Sequence, residues 1–94
     1  MASTAASNRA AASLARSCAA EFSPNGVRGN AVAPGPVLTD GAAPERSEKL
    51  GKTTLLNRAA QTDEIAEVIA FLASLKASYV TGAVIAADGG RTAV

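Results

Sequence analysis

The sequence predicts an α/β fold that runs helix, strand, loop, helix, strand, with the two strands lying parallel across the second helix. Three observations predict it. Apolar segments with β-branched residues occur at residues 27–33 and 80–87. Between them, residues 62–75 carry apolar side chains at the 3, 4, 7 spacing of a one-sided helix. The first of these segments breaks at Pro34-Gly35-Pro36, where a strand of an open parallel sheet leaves for a ligand edge. A strand, a crossover helix and a second strand suit parallel pairing with a right-handed connection.

Taken in order, residues 3–21 read as a helix because they are Ala-rich and free of Gly and Pro, with Ser23-Pro24-Asn25-Gly26 as a stop. Leu14, Cys18 and Phe22 sit four apart and share a face. The alanines leave a smooth surface that another helix can approach. Residues 27–33 form the first strand; Gly29 inside it weakens pairing, and Asn30 is placed to brace the neighbouring loop. At Pro34-Gly35-Pro36 the missing proline N–H and a glycine free to take positive φ turn the chain out of the sheet. Val37 and Thr39 then offer an apolar wall, a hydroxyl and backbone groups.

Residues 40–61 read as an interrupted polar loop, and a long loop beside a ligand edge is commonly a lid or binding loop. Leu50, Leu55 and Leu56 fit two descriptions there, an apolar substrate wall or a set of pins holding the loop to the sheet. Gly51-Lys52-Thr53 is not a phosphate loop, since the position five residues before the Gly-Lys pair is Arg46 rather than Gly. The second helix opens at Thr62 as N-cap, with Asp63 and Glu64 in the first turn. Ile65, Val68, Ile69, Leu72 and Leu75 make its buried stripe, Glu64 and Glu67 a solvated face, and Lys76 its close. The last strand, residues 80–87, uses Gly82 for close packing and ends in the turn Asp88-Gly89-Gly90.

Composition bounds the function. Ninety-four residues make one small domain with a thin core, because 48% are hydrophobic but many of those are Ala and only 3% are aromatic. A net charge of +1 without a basic run argues against nucleic acid. The single Cys18 excludes an internal disulfide, and with no histidine a metal site would have to rely on carboxylates or that thiol, so no metal ligand is assigned. No apolar run nears the ~18 residues of a membrane span, and the amino end lacks the features of a secretory signal. The expectation is a soluble cytoplasmic protein that binds neither nucleic acid nor membrane.

The phrases AAEFSPNGVRGNAVAPGPVLTD and YVTGAVIAADGG resemble the sixth strand with its following loop and the last strand of the short-chain dehydrogenase/reductase family. The resemblance covers nearly the whole chain but only the carboxyl-terminal portion of that family's domain. It implies the carboxyl-terminal part of a Rossmann-like doubly wound parallel sheet, with the amino-terminal dinucleotide-binding half absent from residues 1–94. It also implies an NAD or NADP cofactor, with Pro34, Gly35, Val37 and Thr39 at its nicotinamide end. Val37 would present backbone groups to the carboxamide, and Thr39 would lie near the carboxamide or the pyrophosphate. The loop bearing Leu50, Leu55 and Leu56 would close over substrate. Where family members usually carry a β-branched residue, this chain has Gly29, which reads as a local departure that lowers stability.

In that family the first helix carries a Tyr-x-x-x-Lys pair and helps to build the subunit bundle. Counting back from Ala19-Ala20-Glu21-Phe22, the tyrosine position is Thr4 and the lysine position Asn8. A phenol near working pH can shuttle a proton, whereas a threonine hydroxyl titrates far above it. Tyr79, the one tyrosine, has no lysine four residues on. No catalytic residue is therefore assigned, and the expectation is a truncated oxidoreductase inactive alone. The alternative is a non-enzymatic oligomerisation or interaction module, or the relic of a truncated gene. The partner expected is a second copy or a full-length family member.

Overall fold

A computed structural model describes the backbone of residues 2–39 and 44–93, with side chains from residue 9 onward. Helix α1 spans Ala2–Phe22 and is followed by a 3-10 turn, Ser23–Asn25. Strands β1 (Ala31–Pro34) and β2 (Val37–Leu38), helix α2 (Pro44–Gly51), strand β3 (Ala60–Gln61), helix α3 (Thr62–Ala73) and strand β4 (Val84–Ala87) complete the order. Strand β1 neighbours β4, and β2 pairs parallel with β3 in the register Val37↔Ala60 and Leu38↔Gln61. The Ala31 N–H donates to Ala83 and the Gly35 N–H to Ala87, a constant offset that makes the first pair parallel as well. The chain divides into two compact units, Met1–Val32 with Phe71–Ile85 and Ala33–Ala70 with Ala86–Val94.

Both main strands are shorter than predicted, because side chains replace the ladder at their beginnings. Residues 27–30 and 80–83 are not strand. Asn30 donates through Nδ2 to the Val80 carbonyl (2.9 Å) and accepts at Oδ1 from the Ala83 N–H (3.0 Å), so its amide stands in for a strand partner. The Gly29 N–H donates to Thr81 Oγ1 at 3.1 Å. Gly82, at φ +74°, departs from extended backbone altogether. Arg28 then reaches the carbonyls of Leu72 (2.7 Å) and Ser74 (3.1 Å), acceptors left open at the end of α3, and that of Val80 (3.3 Å).

Packing in the first unit uses small residues rather than the predicted Leu14, Cys18 and Phe22 face. Leu14 is 64% exposed and Phe22 45%, while Ala15 is buried. A Cβ on Gly29 would lie 3.3 Å from the Cys18 Cβ, so α1 runs close over glycine backbone and only small side chains fit beneath it. Gly29 is thus a site of close approach rather than a mere weakness. The predicted stripe of the second helix is also only partly realised. Leu72 is buried and Ile65 and Val68 are half-buried, but Ile69 is 52% and Leu75 90% exposed. The α-helix stops at Ala73, and Ser74 caps a 3-10 turn, Leu75–Ala77, that carries Leu75 and Lys76 off the stripe.

In the second unit the predicted loop holds two elements that sequence periodicity did not signal. Residues 40–43 of that loop lie outside the described residues. Helix α2 starts at Pro44, which tolerates the first helical turn because its missing N–H would be unbonded there. Ser47 within it, and Thr54 and Ala59 beyond it, are buried. Thr54 Oγ1 donates to the Gly51 carbonyl at 2.8 Å and tightens the chain between α2 and β3.

Candidate functional site

The strip from Pro34 to Thr39 begins where β1 ends. The Gly35 N–H donates to the Ala87 carbonyl at 3.1 Å, holding the strip to the carboxyl end of β4. Gly35 does not take positive φ, contrary to the sequence expectation. Glycine is required for another reason. A Cβ there would sit 2.8 Å from both Cα and Cβ of Asp88, inside van der Waals contact. Pro36 turns the chain, and its carbonyl accepts from the Ala60 N–H at 2.9 Å.

That bond fixes the direction of Val37. In a parallel ladder that pairs Val37 with Ala60 through the Pro36 carbonyl, Val37 turns its own N–H and C=O away from β3. Its carbonyl accepts from the buried Ser47 hydroxyl at 3.2 Å, which ties α2 to β2. The Val37 N–H remains directed outward at the end of the strip. Val37 is half-buried and Thr39 is exposed.

Asp88, against which Gly35 packs, is itself fixed. Its carboxylate accepts from the Thr92 hydroxyl (2.7 Å), the Thr92 N–H (3.1 Å) and the Gly90 N–H (3.0 Å). The Thr92 hydroxyl, followed by the backbone N–H groups, holds this carboxyl below its ordinary value against the opposing effect of burial. Gly89 and Gly90 both take positive φ in the turn that follows. The Leu56 N–H donates to the Gly89 carbonyl at 3.0 Å, and the Leu55 side chain occupies the space a Cβ on Gly90 would need.

The three loop leucines therefore separate. Leu56 lines a recess of about 170 Å³ with Ala60, Ile65, Ala87 and Gly89. Leu55 packs on the turn, and Leu50 is half-buried at the end of α2. Leu55 and Leu56 are still 61% and 63% exposed. Thr4 and Asn8 fall on α1, but their side chains lie outside the described residues. Tyr79 is fully exposed. Among the described residues no group of three or more His, Cys, Asp or Glu could hold a metal ion.

One polar feature was missed by sequence reasoning. Arg58 holds both carboxylate oxygens of Glu64, at 2.8 and 2.9 Å, and Glu64 Oε1 accepts from the Gln61 N–H at 2.9 Å. Glu64 is thus no idle member of a solvated face: it accepts from the N–H of Gln61, the residue before the helix, which is one half of a capping box, and the predicted N-cap Thr62 is instead the first residue of α3. The Arg58 hydrogen bond, then the Gln61 N–H, brings its pKa down to about 2. The signal lay in the spacing of Gln61 and Glu64.

Parallel strand ends, a Pro-Gly-Pro exit and a glycine held against the neighbouring strand's end are the arrangement by which an open α/β sheet presents a ligand edge. The comparisons agree with that class. The family described as enoyl-(acyl carrier protein) reductase matches residues 1–92. The chain belongs to the short-chain dehydrogenase/reductase family. It is similar to protein FixR of Bradyrhizobium diazoefficiens, 44% identical over 85 residues, covering 90% of this chain and 31% of the relative. It is also 46% identical over 92 residues to galactitol 2-dehydrogenase (L-tagatose-forming) of Cereibacter sphaeroides, covering 93% and 36%.

Among solved structures, a blue fluorescent protein from a metagenomic library, in complex with NADPH, aligns with a TM-score of 0.83 at 38% identity. That alignment covers 93% of this chain and 36% of that one. A short chain dehydrogenase family protein from Francisella tularensis aligns with a TM-score of 0.80 at 35% identity, covering 90% and 41%. The chain spans about a third of the length of the curated relatives it matches. Its elements are those of a Rossmann-fold α/β protein. No helix among the described residues is long and apolar enough to cross a membrane.

Proposed function

We propose that the chain supplies the strand-end strip that receives the nicotinamide end of NAD or NADP in an oxidoreductase of alcohols and ketones. The observation that carries this reading is the outward Val37 N–H on a strip clamped by Gly35 to the end of β4. Val37 offers that donor to the carboxamide oxygen, and Thr39 places its hydroxyl next to the carboxamide or the pyrophosphate. Pro34 and Gly35 shape the backbone beneath. Leu56 walls the substrate side, while Leu55 packs on the Gly89-Gly90 turn and Leu50 closes α2. The bound cofactor supplies the hydride, and the protein's part is to hold and orient it.

The same 94 residues have no turnover of their own in this reading. General acid/base catalysis contributes roughly 10²- to 10⁴-fold, and Thr4 and Asn8 stand where the family's phenol and ammonium would supply it. The chain also lacks a G-x-G-x-x-G turn for the pyrophosphate. A soluble, cytoplasmic setting goes with this assignment.

A second reading rests on a separate observation. Large apolar side chains stay exposed on the described surface, among them Val27, Ile69, Phe71 and Leu75, while the buried apolar residues are Ala15, Ala59, Leu72 and Ala77. Val27, Leu75 and Tyr79 line one recess, and exposed apolar residues gathered in one place mark association. The chain then acts as a non-enzymatic interaction module, joined to a second copy or to a full-length family member.

Saturation-transfer NMR with NADH separates the readings. Transfer to the nicotinamide ring protons and not to adenine is expected, with no oxidation of NADH or NADPH above a buffer control when ketones are added. Transfer centred on adenine defeats the strip assignment. Measurable turnover defeats the claim of inactivity. No transfer at all, with co-purification of a longer family member, favours the interaction module.

A further inference from the structure

The turn that ends α1 carries a chemistry that the cofactor strip does not use. Residues Ser23–Asn25 wind into a 3-10 turn that Gly26 closes, and Asn25 and Gly26 are both exposed. Gly26 sits at φ +86°, and a Cβ built on it would meet nothing within 4 Å. Its backbone nitrogen therefore has no side chain of its own and open space beside it. That nitrogen follows an asparagine, a residue whose amide is thermolabile.

The other asparagines are placed differently. Asn30 is held at both amide atoms, by the Val80 carbonyl and the Ala83 N–H. Asn8 and Asn57 are each followed by an arginine, whose β-carbon hinders attack by the backbone nitrogen. At Asn25 the obstacle is a single bond, from the Gly26 N–H to the Ser23 carbonyl at 2.9 Å. It lies at an exposed helix end, where local opening costs least.

We infer that Asn25-Gly26 is a deamidation site whose product unfastens the turn tying α1 to the segments that enter β1 and β4. When the turn opens, the Gly26 nitrogen attacks Cγ of Asn25 and a cyclic imide forms. The bond from Cγ to the side-chain nitrogen breaks, and that nitrogen leaves as ammonia with the proton from Gly26. Water then opens the imide at either carbonyl and returns a proton to the Gly26 nitrogen. Opening at Cγ leaves aspartate; opening at the backbone carbonyl leaves isoaspartate, with one more carbon in the main chain.

That extra carbon falls inside two bonded turns, Gly26 N–H to Ser23 (2.9 Å) and Val27 N–H to the Phe22 carbonyl (3.3 Å). Ser23 Oγ donates its one proton to the Val27 carbonyl at 2.8 Å, so in its 2.8 Å contact with Thr81 the threonine hydroxyl donates. Thr81 Oγ1 accepts in turn from the Gly29 N–H at 3.1 Å. Displacing Ser23 breaks this chain, whose members polarise one another. The new carboxylate also opposes the dipole at the carboxyl end of α1.

The test ages the whole 94-residue chain at mildly alkaline pH, then weighs its tryptic peptides. Asn25 falls in residues 17–28, apart from Asn30 in 29–46 and Asn57 in 53–58. The mass change of amide to acid is expected in the first peptide while the other two stay intact. The urea midpoint of the aged parent falls by about 1 M, the loss of one net hydrogen bond. Aged Asn25→Gln keeps its midpoint, and fresh Asn25→Asp, which gains the charge without the longer main chain, falls by less than the aged parent. Peptide 17–28 changing no faster than the other two overturns the inference. So does an aged parent with an unaltered midpoint, an Asn25→Gln chain that ages equally, or a fresh Asn25→Asp chain that falls as far as the aged parent.

Discussion

Replacing Gly35 with alanine tests the clamp on which the strip depends. Gly35 lies outside the left-handed region, so the substitution carries no conformational penalty. At an unobstructed site it would stabilise the fold by ~0.4–1 kcal/mol through the unfolded chain. Here the added methyl meets Cα and Cβ of Asp88 at 2.8 Å and the Asp88 carbonyl oxygen at 3.2 Å. Asp88 cannot yield easily, because its carboxylate is bonded to Gly90 and Thr92.

Relief therefore comes from separating the strip from β4, which stretches the 3.1 Å bond from Gly35 to Ala87. Overpacking costs ~1–3 kcal/mol and a weakened hydrogen bond ~1 kcal/mol. After subtracting the unfolded-chain gain, the net loss is about 2 kcal/mol. With a urea dependence of ~1 kcal/mol per molar for a chain of this size, the midpoint falls by about 2 M. Far-UV circular dichroism reads it, since the chain has no Trp. Gly29→Ala, whose methyl comes no nearer than 3.3 Å, to the Cys18 Cβ, serves as the milder control, with a loss below ~1 kcal/mol. A Gly35→Ala protein as stable as the parent would refute the close-approach argument.

Two further outcomes follow from the polar contacts. Arg28→Ala removes a cation from three carbonyls and is expected to cost about 2 kcal/mol in urea unfolding. Arg28→Lys recovers less than half of that, because one ammonium cannot span the guanidinium's fork, and full recovery would count against the geometry. Acid should also destabilise the fold through Glu64. Its native pKa of about 2 lies below the ordinary 4.5, so the unfolded chain takes up the proton first. The contribution is fully present above about pH 4.5 and is lost as pH falls toward about 2. Urea midpoints measured across that window should fall less in Glu64→Gln than in the parent, and parallel curves would contradict the assignment.

The order of the elements was legible because it is written in local signals. The Ala-rich run, the Asp63-Glu64 start of α3 and the Pro34-Gly35-Pro36 break each act over a few residues. What was not legible depended on distant backbone. Val27 to Asn30 look like strand, yet the Asn30 amide and Arg28 guanidinium pair with carbonyls some 50 residues away and displace the ladder. Leu14 looks like core, but the spacing of α1 is set by Gly29 and Gly82, so Ala15 is buried instead. Gly35 was placed at the turn for its freedom of φ, whereas Asp88, 53 residues on, gives the reason. The cofactor role of Pro34, Gly35, Val37 and Thr39 is carried by family resemblance and not by any local pattern of these residue types.

The most direct measurement follows the Val37 amide resonance as nicotinamide mononucleotide is added to the chain. A saturable shift at Val37, shared by Gly35 and Thr39 and absent with adenosine diphosphate, is the predicted result. Equal shifts with adenosine diphosphate, or a Val37 amide that stays still while residues elsewhere move, would contradict it.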